Sequence, residues 1–126
     1  MLGRSVLVVD DNPAMCKLVT FFLTSAGYQV QTAANGVEAL VAVQWHRPDL
    51  VVLDLYMPVM DGERFVQELR QRGVWLKLLV FSADPDGYRA AARMHADGWI
   101  EKTGNPDALL DEVARLCAID ELSEAA

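Results

Sequence analysis

Positive charge is scarce in this sequence: eleven lysines and arginines face eighteen aspartates and glutamates, for a net charge of −7. Nucleic-acid surfaces need a basic stripe to neutralise phosphates, so this balance argues against one. It suits a domain that binds a cation. Only two cysteines occur, Cys16 and Cys117. Each sits in an apolar helical pattern, which favours buried reduced thiols over a disulfide framework. No apolar run approaches the roughly 20 residues of a membrane-spanning helix. The chain passes from Met1-Leu2-Gly3-Arg4 straight into a strand-like run, with no secretory leader pattern. These absences predict a soluble, cytoplasmic domain that binds neither membrane nor nucleic acid. The first apolar run is also followed by Asp11-Asn12-Pro13 rather than by a glycine-rich or Ser/Thr-rich phosphate loop, which disfavours a nucleotide or flavin domain.

What is present reads as a folded unit. The 126 residues are 52% hydrophobic and 23% charged, an ordinary globular balance. Residues 1–120 are expected to form one domain, with 121–126 a short acidic tail or the start of a linker. Five apolar runs stand out, at residues 6–9, 28–32, 50–53, 76–81 and 99–100. Four are dense in Val, Leu or aromatics, as fully buried strands are, and the second alternates like an edge strand.

Helical patterns lie between them. Met15, Leu18, Val19, Phe22 and Leu23 trace one buried face; Val37, Leu40, Val41 and Trp45 a second; Phe65 and Leu69 a third; Leu109, Val113, Leu116 and Cys117 the last. The alanine-rich stretch 88–95 has helical propensity and little apolar bulk, so it is expected to be the most loosely held helix. Asn12-Pro13, Asp84-Pro85 and Asn105-Pro106 read as helix starts, and Gly27 and Gly73 as stops. Strands alternating with helices at this spacing predict an α/β fold, a parallel sheet covered on both faces.

The polar residues that follow the apolar runs are the informative ones. Run one ends in Asp10-Asp11, run three in Asp54, run four in Ser82 and run five in Lys102. Right-handed crossovers place all strand C-termini along one edge, where ligands bind in such sheets. Three carboxylates about 5 Å apart at an effective dielectric of about 20 repel by about 3 kcal/mol per pair. A divalent cation or raised pKa values would relieve this. An all-oxygen set with no histidine or cysteine favours Mg²⁺ over zinc. Singly, Asp10 or Asp11 could simply cap a helix, and a lone Ser82 or Lys102 could be solvated; their joint placement argues for a site.

Taken with Asp10-Asp11, the stretch Asp54-Leu55-Tyr56-Met57-Pro58-Val59-Met60-Asp61-Gly62, then Ser82-Ala83 and Gly98-Trp99-Ile100-Glu101-Lys102, resembles a response regulator receiver domain over roughly residues 4 to 118. The resemblance implies a five-stranded flavodoxin-like (βα)5 fold with strand order 2-1-3-4-5. It implies that Asp54 is the phosphoacceptor, loaded by a histidine kinase or phosphotransfer protein. Asp11, Asp54 and the backbone carbonyl of Tyr56 would hold Mg²⁺, with Asp10 helping through water. Lys102 and Ser82 would contact the phosphoryl oxygens, and Trp99 would be the switch aromatic. Tyr56 and Asp84 would flank the pocket mouth and tune phosphoryl lifetime. The signal would leave through the surface of helix 4, strand 5 and helix 5, to a downstream protein, a further output domain or a second copy. Such a domain is a phosphoacceptor with slow self-dephosphorylation rather than an enzyme.

Two positions depart from the family pattern. Lys102 is followed by Thr103 where proline is usual, and His95 stands where glycine is common. A haloacid-dehalogenase-type phosphatase would need Asp-x-Asp after the first strand, a spacing Asp10-Asp11-Asn12 lacks. A receiver-like module that is never phosphorylated stays open as a third alternative.

Overall fold

Five strands and five helices alternate along the chain: β1 (Ser5–Val9), α1 (Pro13–Ser25), β2 (Gln29–Ala33), α2 (Gly36–Trp45), β3 (Leu50–Leu53), α3 (Gly62–Gln71), β4 (Leu78–Ser82), α4 (Gly87–Arg93), β5 (Gly98–Glu101) and α5 (Pro106–Ala125). The computed structural model describes the backbone of residues 3–125 and side chains through residue 118. The strands form one parallel sheet in the order β2-β1-β3-β4-β5. This is the flavodoxin-like order, with the reversal between β1 and β3. No helix among the described residues is long and apolar enough to cross a membrane.

The central strands β1, β3 and β4 are buried on both faces because they carry apolar residues at nearly every position, and the period-2 pleat sends them alternately up and down, whereas the edge strands β2 and β5 are more exposed. Leu7, Val9, Val51, Leu53 and Val80 pack with Leu40, Phe65, Leu69, Ala90 and Met94, under α2, α3 and α4. Val6, Val8, Leu50, Val52 and Leu79 pack with Val19, Leu23, Leu109, Val113 and Leu116, under α1 and α5. Cys16 is half-buried and Cys117 buried, and neither is in a disulfide among the described residues.

Several local expectations need correction. In α2 the buried positions are Gly36, Ala39, Leu40 and Val43, whereas Val37 and Val41 are exposed and Trp45 is 86% exposed. Almost every α2 residue is apolar, so periodicity cannot select a face, and the small side chains let the helix lie close to the sheet. Leu18 of α1 likewise faces outward. Helix α4 starts at Gly87, later than Asp84-Pro85 suggested: the Asp84 Oδ1 accepts the Asp86 N–H at 2.8 Å in a turn ahead of the helix, and its Oδ2 is held by Tyr56.

Other signals translate directly. The Asn12 side chain accepts the N–H groups of Ala14 and Met15 at 3.0 and 3.1 Å, with Pro13 at the first helical position. Helix α4, at seven residues, is the shortest. All peptide bonds among the described residues are trans, that between Lys102 and Thr103 included. The helical backbone of α5 continues past residue 120.

Candidate functional site

Four strand ends bring the polar residues together: Ser82 closes β4, and the hydrogen-bond ladder runs one residue past β1, β3 and β5. The Asp10 N–H donates to the Ala33 carbonyl at 3.0 Å, the Asp54 N–H to Val9 at 2.9 Å, and the Lys102 N–H to Ser82 at 2.8 Å. Local bonds then orient the carboxylates. Asp10 Oδ1 accepts the Asn12 N–H and Asp54 Oδ1 the Leu55 N–H, each at 2.9 Å.

Oxygens of Asp10, Asp11 and Asp54 all lie within 4.8 Å of one another. Asp10 and Asp54 are buried and Asp11 is exposed at the rim. Lys102 Nζ sits 2.6 Å from Asp10 Oδ2 and 3.6 Å from Asp54 Oδ2, so one ammonium faces two carboxylates. Burial pushes the Asp54 carboxyl above its ordinary value; Asp10 and Asp11 add to the rise, and Lys102 opposes it. The pocket therefore holds more negative charge than its lysine offsets. Its donors are hard oxygens, which fit a divalent cation of the Mg²⁺ type.

Tyr56 and Asp84 meet. The Tyr56 hydroxyl donates to Asp84 Oδ2 at 2.6 Å, and this bond raises the Tyr56 pKa and lowers that of Asp84. The Asp84 N–H in turn donates to Ser82 Oγ at 3.2 Å. Ser82 is fully buried, whereas Tyr56 is 63% exposed. Trp99 stands apart, on the α4 side of β5, edge-on to Tyr88 with ring centroids 6.0 Å apart. Its Nε1 is buried with no hydrogen-bond partner.

One contributor was missed from sequence. Gly62 opens α3 directly against β3, and its N–H donates to the Leu55 carbonyl at 3.0 Å. A Cβ there would collide with the Asp54 carbonyl oxygen, so only glycine lets α3 approach the strand that carries Asp54. The signal was visible in Asp61-Gly62, where Asp61 caps α3 through the Arg64 N–H at 2.9 Å.

The family model described as the response regulator receiver domain matches residues 6–114. The chain belongs to the response regulator receiver family. Response regulator MprA of a Mycobacterium species is 38% identical over 116 residues, covering 90% of this chain and 49% of that protein. The Bacillus subtilis alkaline phosphatase synthesis transcriptional regulatory protein PhoP is 32% identical over 107 residues, covering 83% and 45%. The receiver chain thus spans about half the length of the curated relatives it matches. Among solved structures, the chemotaxis protein CheY4 of Vibrio cholerae superposes with a TM-score of 0.82 at 34% identity, covering 92% of this chain and 99% of that one. The Thermotoga maritima response regulator TrrA, solved in complex with Mg²⁺-BeF, gives 0.82 at 33% identity, covering 90% and 98%. This receiver is accordingly a signalling domain of the two-component type.

Proposed function

We propose that this receiver is a phosphorylation-dependent switch in which Asp54 accepts a phosphoryl group from a histidine kinase or phosphotransfer protein. The observation that carries the reading is the juxtaposition of Asp10, Asp11 and Asp54 with Lys102 at one end of the sheet. A carboxylate oxygen of Asp54 attacks phosphorus, the bond to the donor's leaving group breaks, and that group departs with the electron pair. Asp11, Asp54 and the Tyr56 carbonyl would hold Mg²⁺, with Asp10 acting through water. The ion neutralises charge on the transferring oxygens when bound.

Lys102 adds a charge-assisted contact to one phosphoryl oxygen, and Ser82 a hydrogen bond to another. Movement of Ser82 toward the phosphoryl group, with repacking of Trp99, reshapes the surface of α4, β5 and α5. A downstream protein, an output domain or a second copy reads that surface. Tyr56 and Asp84 tune how long the acyl phosphate survives by limiting access of water. A cytoplasmic location accords with a kinase donor.

Beryllofluoride, a phosphoryl mimic, provides the test. Fluorine NMR should detect a bound species only when Mg²⁺ is present, and none in Asp54→Asn. A bound signal that ignores Mg²⁺ or persists in Asp54→Asn counts against the proposal.

A further inference from the structure

The unpartnered indole nitrogen of Trp99 has a specific neighbour. Gly87, the first residue of α4, is buried, and a methyl group placed on it would lie 2.7 Å from Trp99 Nε1. The same methyl would lie 3.4 Å from Leu55 Cδ1 and 3.5 Å from Ser82 Cβ. Gly87 therefore occupies the junction of three segments: the end of β4, the residue after Asp54, and β5. The gap left by its absent side chain is the space into which the Trp99 indole edge reaches.

We infer that Gly87 is the positioning residue that couples Ser82 to Trp99, a role that rests on the switch reading above. The orphaned Nε1 supports this on independent ground. A buried donor with no acceptor disfavours the arrangement that holds it, so the ring occupies a position it can leave at little loss. Close packing does the rest: interiors are dense, and a displacement of Ser82 changes the free space beside Gly87 and hence the room available to the indole. Helix α4 is suited to yield, since it is short and its N-cap residue Asp86 makes no side-chain capping bond.

The test uses the full chain carrying Trp45→Phe and Trp75→Phe, which removes two exposed tryptophans and leaves Trp99 as the only tryptophan, excited at a wavelength where tyrosine does not absorb. Without any phosphodonor, adding Gly87→Ala should shift Trp99 emission to the red and abolish its protection from acrylamide. Unchanged emission and quenching would overturn the inference. Thermal unfolding separates displacement of the ring from damage to α4. Gly87→Ala should lower the midpoint when Trp99 is present, and the loss should largely disappear when Trp99→Phe is added. An equal loss in both backgrounds would make Gly87 a backbone requirement of α4 and defeat the coupling role.

With a small phosphodonor and Mg²⁺, Gly87→Ala should still gain a phosphoryl adduct by intact mass while losing the emission change that accompanies it in the parent. An emission change of parental size would refute the coupling. A parent that gains no adduct refutes the phosphoacceptor reading instead, and the first two measurements still decide the role of Gly87.

Discussion

The Tyr56 hydroxyl and the Asp84 carboxylate are joined by a 2.6 Å hydrogen bond that ties the loop after β3 to the loop after β4. Each residue lies two positions beyond a pocket residue, Asp54 and Ser82. The bond thus links the two segments that follow Asp54 and Ser82, and the same carboxylate accepts the Asp86 N–H.

If this bridge limits access of water to an acyl phosphate, removing it shortens the life of the phosphorylated form. Tyr56→Ala is expected to reduce the half-life by about three- to tenfold, equivalent to about 0.7–1.4 kcal/mol in the barrier. Tyr56→Phe keeps the ring and loses only the bond, so its effect should be smaller. Following loss of the adduct by mass after removing the phosphodonor checks this, and an unchanged half-life in Tyr56→Ala ends the lifetime hypothesis.

The raised pKa of Asp54 gives stability a sign. The fold holds its protonated form better than the unfolded chain does. The associated stabilisation is fully present below the ordinary value of 3.8 and lost as pH rises through the folded value. In metal-free buffer, Asp54→Asn should therefore unfold at a higher temperature than the native chain near pH 7. The gap should close as the pH falls toward 3.8. A gap that widens on acidification contradicts the assignment.

Lys102 is the cation that faces the pocket, at 2.6 Å from a buried aspartate. Truncating one partner of such a pair leaves the other uncompensated, so Lys102→Ala should cost about 1–3 kcal/mol in metal-free buffer. Mg²⁺ should restore more stability to this variant than to the native chain, because its pocket lacks the competing ammonium. Chemical denaturation with and without Mg²⁺ measures both effects.

Two backbone positions are strained in ways that glycine would relieve. His95 has φ 53° at the end of α4, where the N–H groups of His95 and Ala96 bond back to Ala92 and Ala91 at 3.1 and 2.9 Å. Val59 has φ 70°, with the Met60 N–H donating to the Pro58 carbonyl at 2.8 Å, a strained three-residue turn for a β-branched side chain. His95→Gly should stabilise by about 0.5–1 kcal/mol and Val59→Gly by about 1 kcal/mol, raising the thermal midpoint by about 2–4 °C and about 4 °C, respectively. A lower midpoint would show that the side chain makes a compensating contact.

The residues of β1 and β3 were legible because strands buried on both faces strongly favour apolar side chains, so 6–9 and 50–53 could be read almost residue for residue. The pocket residues were legible for the complementary reason: Asp10, Asp54 and Lys102 interrupt those runs at positions the topology must bring to one edge. Helix faces were harder. Leu109 and Val113 declare a face because the charged residues Asp111, Glu112 and Arg115 lie between and beside them, whereas α2 is apolar nearly all round and its Trp45 went to solvent. Asp84 misled as a cap because its carboxylate had a long-range competitor, Tyr56, that adjacent residues cannot reveal. Gly62 and Gly87 act through side chains they lack, and only the packing shows what those absences admit.

The most direct measurement is incubation of the native chain with a small phosphodonor and Mg²⁺, followed by intact mass and peptide mapping. One Mg²⁺-dependent phosphoryl adduct on the peptide containing Asp54, lost in Asp54→Asn, is the predicted result. No adduct, or one that survives Asp54→Asn undiminished, would contradict the phosphoacceptor account.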